Sequence, residues 1–372
     1  MNKRVTLIFS GYNYRAVIAF CRFATERNIP FYIISSGKND LINKSDYIKN
    51  IITERTKNEL TFDDLLYFSS IILEKKDFTK IVILPSTEYI NRFLLENREA
   101  LNDNNIEFGL CEKQVYEMIS DKKSFSELCK ENSINVPNEF LNGQSDYPIV
   151  IKPKTYISKN KEIFSPEIIH NEKDLNLYFN DKNEQDFYIQ EYIGGNSIYL
   201  LYYIFSDSSY SVYSQENYIQ QFNGGSMILA QSSEYHTNKI ASKFANLFAD
   251  VGFKGLVMVE VKLFNDKFYM IEANPRLWGP SQLILDAQMD LFESYAYDNG
   301  LTDSLVKLKY RPNIWYYWSG GLNDNMKKEL PVTFYNFDAE KLKNKEIEIE
   351  LNDVYKKNDT LNIYKNENKK ND

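Results

Sequence analysis

Residues 255–279, GLVMVEVKLFNDKFYMIEANPRLWG, constrain this chain more than any other stretch. They read as two apolar strands around a polar reversal, Asn265-Asp266-Lys267. Aromatic and β-branched residues suit a pleated, half-buried surface, and Asn and Asp suit a tight turn. The first strand carries Glu260 among apolar neighbours. The second carries Glu272, with Asn274 two residues on and therefore on the same face. Arg276 follows at the strand exit. A three-residue loop, 265–267, sets Glu260 across from Glu272 on one face; a two-residue loop sets them on opposite faces. Facing carboxylates repel, and a divalent cation between them removes the repulsion. Carboxylate and amide oxygens are hard ligands that suit Mg²⁺ holding substrate phosphates. Taken singly, each acid is an ordinary surface residue of a hairpin. The set Glu260, Glu272, Asn274 and Arg276 in one hairpin points to a site.

With those residues in view, EANPRLWG after an acid-bearing strand resembles the metal-binding end of the ATP-grasp superfamily, especially its carboxylate–amine ligases. The resemblance covers residues 111–300 well and the first hundred loosely. It implies ATP as cosubstrate and Mg²⁺ as the metal, with Mn²⁺ an alternative. Asp121-Lys122-Lys123, ahead of a Val-Pro pair, is similar to a passage whose lysine reaches ATP phosphates. Lys122 is the matching position and Lys123 the alternative. YPIVIKPK (147–154) resembles a strand that ends in a phosphate-contacting lysine, here Lys152. The family follows this strand with a glycine-rich loop; this chain has TYISKNKEIF, without glycine, so any phosphate contact there falls to backbone amides, Ser158 or Lys159. FYIQEYIGGNS (187–197) is similar to the interlobe hinge that recognises adenine. Glu191 matches the hinge acid, with Tyr192 and Ile193 beside it. Ser197 stands where an acid often meets the ribose. Gln220 and Gln221 stand where related sequences tend to carry a basic residue.

Around this region the chain alternates. RVTLIF (4–9), PFYIIS (30–35), KIVILPS (80–86) and IEFGL (106–110) read as strands separated by helices, which implies a doubly wound parallel sheet. The first turn has one glycine and lacks G-x-G-x-x-G, so dinucleotide binding is not indicated. By resemblance this lobe helps to form the acceptor pocket, with Ser10, Gly11 and residues 85–88 at the strand ends. SIYLLYYIFSD, YSVYSQENYIQQF and SMILAQSS read as antiparallel strands, and residues 236–252 as an amphipathic helix. The expected organisation is α/β and α+β: an N-terminal pre-ATP-grasp lobe (1–110), a two-lobed ATP-grasp domain (111–300) hinged near 191–195, and a C-terminal segment (301–355) packed on the core. A flexible tail is expected over 356–372, where Lys and Asn dominate.

Composition narrows the partners. A net charge of −8 argues against nucleic acid. Cys21, Cys111 and Cys129 are widely spaced, without zinc or disulfide spacing, and indicate a reducing compartment. His170 and His236 are too few for a histidine-centred site. No apolar run approaches the ~18 residues of a membrane helix, and the start reads as a strand rather than a signal peptide. A cytoplasmic protein is expected. The aromatic-rich C-terminal segment could form a homodimer interface.

Neither G-x-x-x-x-G-K-[ST] nor H-R-D occurs, so P-loop and protein-kinase chemistry are set aside. The resemblance implies attack of a small-molecule carboxylate on the γ-phosphorus of MgATP, then displacement of phosphate from the acyl phosphate by an amine. Glu260, Glu272 and Asn274 would hold the metal, Lys122 and Lys152 would offset triphosphate charge, and Arg276 would stabilise the transferring group. Bicarbonate activation, as in carboxylases and carbamoyl-phosphate-type enzymes, and a catalytically silent ATP-binding module are the alternatives.

Overall fold

The computed structural model describes residues 3–57, 59–75, 78–140, 146–158, 160–336 and 338–369. Lys159 lies outside the described residues.

Five strands open the chain: β1 (Arg4–Phe9), β2 (Phe31–Ser35), β3 (Ile51–Glu54), β4 (Lys80–Ile83) and β5 (Ile106–Glu107). They pair in parallel in the order β3-β2-β1-β4-β5. Val5, Leu7, Ile8 and Phe9 are all fully buried, as a strand covered on both faces requires. The helix Tyr14–Glu26 buries Val17, Phe20, Cys21 and Ala24 on one side, as its periodicity predicts. Strand β3 was not foreseen. Its run IITE is short and half-buried, too weak a signal to separate from a loop.

A small antiparallel sheet follows, built from β6 (Glu139–Phe140), β7 (Ile149–Pro153), β8 (Glu167–Ile169) and β9 (Phe187–Glu191) in the order β6-β9-β7-β8. The large sheet takes β10 (Asn196–Ile204), β11 (Tyr210–Gln220), β12 (Met227–Ser233), β13 (Gly255–Phe264), β14 (Lys267–Asn274) and β15 (Trp315–Tyr317) in the order β14-β13-β10-β11-β12-β15. A last short strand, β16 (Thr333–Phe334), pairs antiparallel with β11. Parallel N-terminal sheet followed by antiparallel sheets is the fold class expected from the sequence. Alternate residues of β10 and β13 face two cores. Ile198, Leu200, Val257 and Val259 join the core shared with helix Lys239–Asp250. Tyr199, Leu201, Leu256 and Met258 join a second core with Phe20, Phe292 and Trp278.

Two helical stretches are broken. Residues 113–131 form two helices that part at Asp121, whose ψ is 122°. Residues 282–298 form two helices, with Gln288 at φ 55° between them. The tail expected to fray is instead tied down through residue 367. Tyr355 and Ile363 are buried, Arg22 pairs with Asp359 at 2.8 Å, and Trp318 donates to Glu367 at 3.0 Å. Composition pointed the other way because Lys and Asn cover the exposed side of a helix, Leu361–Glu367, in which Ile363 alone is buried while Leu361 stays at the surface. No helix among the described residues is long and apolar enough to cross a membrane.

Candidate functional site

The β13–β14 hairpin reaches the expected pairing by an unexpected route. Its turn has two residues, Asn265 and Asp266, both left-handed at φ 48° and 58°, the conformation that Asn and Asp tolerate in tight hairpin turns. Lys267 is already in the ladder, opposite Phe264. By itself that register turns Glu260 and Glu272 to opposite faces. A β-bulge intervenes: Val261 pairs with Met270, but Glu260 pairs with Glu272, and Ile271 is the extra residue. The two acids therefore face each other, and Asn274 lies opposite Met258.

The acids line a cavity of about 410 Å³ between the small and large sheets, together with Lys122, Lys152, Glu191, Tyr192, Ile193, Asn274 and Arg276. Lys122 sits at the start of the helix Lys122–Glu131. It donates to Glu272 Oε2 at 2.5 Å. Lys123 points elsewhere and pairs with Glu139 at 2.5 Å, which separates the two candidates. Lys152, 5 % exposed, crosses from β7 and donates to the bulge carbonyl of Ile271 at 2.8 Å. Asn274 donates to Glu272 Oε1 at 2.7 Å and accepts from Arg276 at 2.9 Å. At the hinge, Glu191 accepts from the Asn138 side chain at 2.8 Å.

Electrostatics divide the acids. Burial works to raise Glu272, but Lys122 beside it and the Asn274 amide outweigh burial and hold it at about 2. Glu260 is raised: burial dominates, Lys262 opposes it, and Glu272 adds to the rise. Burial lowers Lys152 to about 8, and neighbouring Lys122 pushes the same way. Lys262 also falls to about 8 by burial, against the pull of Glu260.

These donors fit a hard divalent cation. Two carboxylates share one face, one of them raised by burial and by its neighbour, which is the repulsion a cation relieves. Among the described residues no three His, Cys, Asp or Glu gather into a metal-holding group. The Asn274 amide oxygen would therefore complete the set.

Ser197 is not where the resemblance placed it. It is fully buried, donates to Glu260 Oε1 at 2.9 Å and accepts from Asn217 at 2.9 Å. It does not line the cavity; its hydroxyl is too short to pass Glu260 and instead orients that carboxylate from below. Several lining residues escaped the sequence reading, two of them in mutual contact. Lys262 is one, although its place two residues after Glu260, on the same strand face, was a usable signal. Tyr335 is the other, and nothing local in the sequence ties it to the site.

A second cavity of about 540 Å³ adjoins the first and shares Glu88, Tyr156, Ile163 and Arg276 with it. Tyr12, Asn13, Glu59, Ser86, Thr87 and Tyr89 complete its wall. Of the acceptor-pocket candidates, Ser86, Thr87 and Glu88 are thus brought to a cavity. Ser10 and Gly11 are not: Ser10 is buried against Asp40, and a Cβ on Gly11 would stand 2.4 Å from Ser36. Described residues of the glycine-poor stretch, on either side of Lys159, make hydrogen bonds of their own. Ser158 Oγ accepts from the Glu162 amide at 3.1 Å, and the Tyr156 amide donates to Asp121 at 3.2 Å.

Residues 119–280 match the family of the ATP-grasp domain. No curated protein matches the sequence. Among solved structures, pyruvate carboxylase of Rhizobium etli superposes with a TM-score of 0.59 at 15 % identity, over 80 % of this chain and 28 % of that chain. Biotin carboxylase of Campylobacter jejuni, in a β,γ-ATP complex, gives 0.58 at 16 % identity over 83 % and 73 %. N5-carboxyaminoimidazole ribonucleotide synthetase of Thermotoga maritima gives 0.53 at 16 % identity over 83 % and 78 %. At such identities the likeness is one of fold.

Proposed function

We propose that this chain is an ATP-grasp enzyme, an ATP-dependent ligase that joins a carboxylate to an amine through an acyl phosphate. The observation that carries the reading is Glu260 facing Glu272 at the wall of a cavity that also holds Lys122 and Lys152. Two lysines and a carboxylate pair in one cleft suit a triphosphate with its cation. Glu260, Glu272 and the Asn274 oxygen would hold Mg²⁺, which screens phosphate charge when bound. Lys122 and Lys152 then bind phosphate oxygens, and the hinge residues Glu191, Tyr192 and Ile193 receive the base.

Arg276 lies on the wall common to both cavities. A substrate carboxylate held there attacks the γ-phosphorus. The new P–O bond forms as the bond to the β,γ-bridging oxygen breaks, and ADP leaves. The amine nitrogen next attacks the acyl carbon, phosphate departs, and the nitrogen loses a proton. Arg276 would offset the charge that gathers on the transferring group.

The folds it resembles include carboxylases, which supports bicarbonate as a second candidate acid. The adjoining cavity, about 540 Å³ and lined by Tyr12, Tyr89 and Tyr156, is far larger than bicarbonate and favours an organic acid or amine. The test is release of ADP and phosphate across a panel of paired acids and amines, with bicarbonate as a separate arm. Stimulation by an acid–amine pair, with a condensed product by mass spectrometry, supports the ligase. Stimulation by bicarbonate alone replaces it with the carboxylase reading. Nucleotide binding without turnover on any arm supports the silent module.

A further inference from the structure

We propose that Lys262 recognises the sugar of the bound nucleotide, and that Tyr335, delivered by the C-terminal segment, holds Lys262 in position to do so. The inference rests on the nucleotide reading of the cavity and deepens it.

Strand β13 sets where Lys262 stands. Glu260 and Lys262 lie on one face, two residues and therefore about 7 Å apart. Beyond Lys262 the strand meets the hinge: a Cβ on Gly195 would stand 2.2 Å from the Leu263 carbonyl oxygen. Lys262 thus lies between the cluster that suits phosphates (Lys122, Lys152, Glu272) and the hinge that suits the base. In a nucleotide, what lies between phosphate and base is the sugar.

The lysine's surroundings hold it without using up its donors. Lys262 is 6 % exposed. Its ammonium stands 3.7 Å from Glu260 Oε1 and 3.5 Å from the centre of the Tyr335 ring. The first distance is beyond hydrogen-bond range, and the second is a cation–π contact, which places the charge but accepts no directed hydrogen bond at the lysine's full strength. An ammonium has three donors, so this one is held in place yet free to donate to hydroxyl oxygens. Ser197, the residue that the sequence offered for the ribose, is turned beneath Glu260 and cannot serve.

Tyr335 reaches the cavity from the far end of the chain. The last pairing of β10 with β11 is Ser197 with Asn217. Past that point the edge of β11 is taken by β16, with Ile219 opposite Phe334 and Gln220 opposite Thr333. The Tyr335 amide continues the ladder to the Tyr218 carbonyl at 2.9 Å, and its hydroxyl donates to Gln220 Oε1 at 2.6 Å. Both ends of the side chain's path are therefore fixed, and its ring lines the nucleotide cavity. Tyr335 lies well outside residues 119–280, so the cavity wall is completed by a distant part of the chain.

The experiment is calorimetric titration of the full chain with ADP and with 2′,3′-dideoxy-ADP. Wild type is expected to prefer ADP by about tenfold or more, the worth of a charged hydrogen bond. Lys262→Met should bring the ratio close to one. Tyr335→Leu, which removes the ring face but keeps bulk, should lower the ratio; Tyr335→Phe, which keeps the face, should retain most of it. Phe334→Ser, an exposed neighbour on the same strand, should bind like wild type. General destabilisation weakens both ligands together and leaves the ratio unmoved, so the ratio separates sugar recognition from a merely structural role. A wild-type ratio in Lys262→Met overturns the proposal and leaves Lys262 as a counter-charge for Glu260. A wild-type protein that binds ADP and its dideoxy analogue equally overturns it while sparing the nucleotide reading; one that binds neither overturns both. Melting curves without nucleotide establish folding, and if Tyr335→Leu does not fold, the Lys262→Met ratio decides.

Discussion

Strands β10 and β13 of the large sheet present apolar residues to a core on each side, and Val257, Val259 and Leu200 are fully buried. Strands β7 and β9 of the small sheet have one apolar core, Ile149, Ile151, Ile169, Tyr178, Phe187 and Ile189, with the opposite face turned to the cavity. The carboxylates sit on the sheet with two cores; Lys152 and the hinge acid sit on the sheet with one. Groups that must hold a fixed mutual geometry are on the stiffer support, and groups that meet a ligand entering between the sheets are on the weaker one. Local opening is easiest where few buried apolar contacts oppose it.

The hairpin carries the largest expected effect. Glu272→Gln removes one of the facing charges without changing shape. ADP and phosphate release should fall by about 10²-fold or more, and the melting temperature should drop as well, because Lys122 loses its charged partner. Unchanged turnover in that variant removes the paired carboxylates from the mechanism.

Core truncations sharpen the contrast in stability. Phe248→Ala, in the core under β10, should cost about 3–5 kcal/mol in global unfolding. Ile151→Ala, in the small sheet, should lower global stability less and appear instead as faster amide exchange confined to β7–β9. Equal protection of the two sheets in the wild type would contradict the asymmetry.

Lys152 gives a pH test. Its folded value of about 8 lies below the ordinary lysine value of 10.5, chiefly because of burial. Between those values the folded chain binds fewer protons than the unfolded one, so this lysine's contribution to stability rises with pH across that window. Its charge behaves oppositely: it is present below about 8 and lost above. ADP affinity should therefore weaken as pH rises from 7 to 9, by up to about tenfold. Lys152→Met should bind more weakly at pH 7 and lose that pH dependence, as titration calorimetry at both pH values would show.

The smallest effect belongs to the turn. Asn265→Ala puts a residue with no αL tolerance at φ 48° and should lower stability by about 1 kcal/mol. Nucleotide affinity should stay within error, because the turn lies beyond the residues that line the cavity.

Legibility in the sequence followed the range of the interactions. Four of the five strands of the first sheet, the antiparallel run from 196 to 233 and the acid-bearing hairpin were visible because apolar runs and alternation are local signals. Lys122 and Lys152 were placed by resemblance, and both line the cavity. Loop length alone predicts the pairing of Glu260 with Glu272 for a three-residue turn; the turn has two residues, and a bulge produces the pairing instead. A bulge depends on tertiary contacts such as Lys152 with Ile271 and leaves no local mark. Ser197 was misplaced because its depth below the surface depends on Glu260, 63 residues away. Tyr335 was missed for the same reason at greater range; its site partner Gln220 is 115 residues distant.

The bulge at Ile271 has a consequence for how such a chain can change. Dropping Ile271 would straighten the ladder and still leave Glu260 opposite Glu272, since the two-residue tip then sets the register alone. What would vanish is the carbonyl that Lys152 grips from the other sheet. One surplus residue therefore serves as a detachable clasp between the halves of the cleft, and its deletion would uncouple them without disturbing the acids.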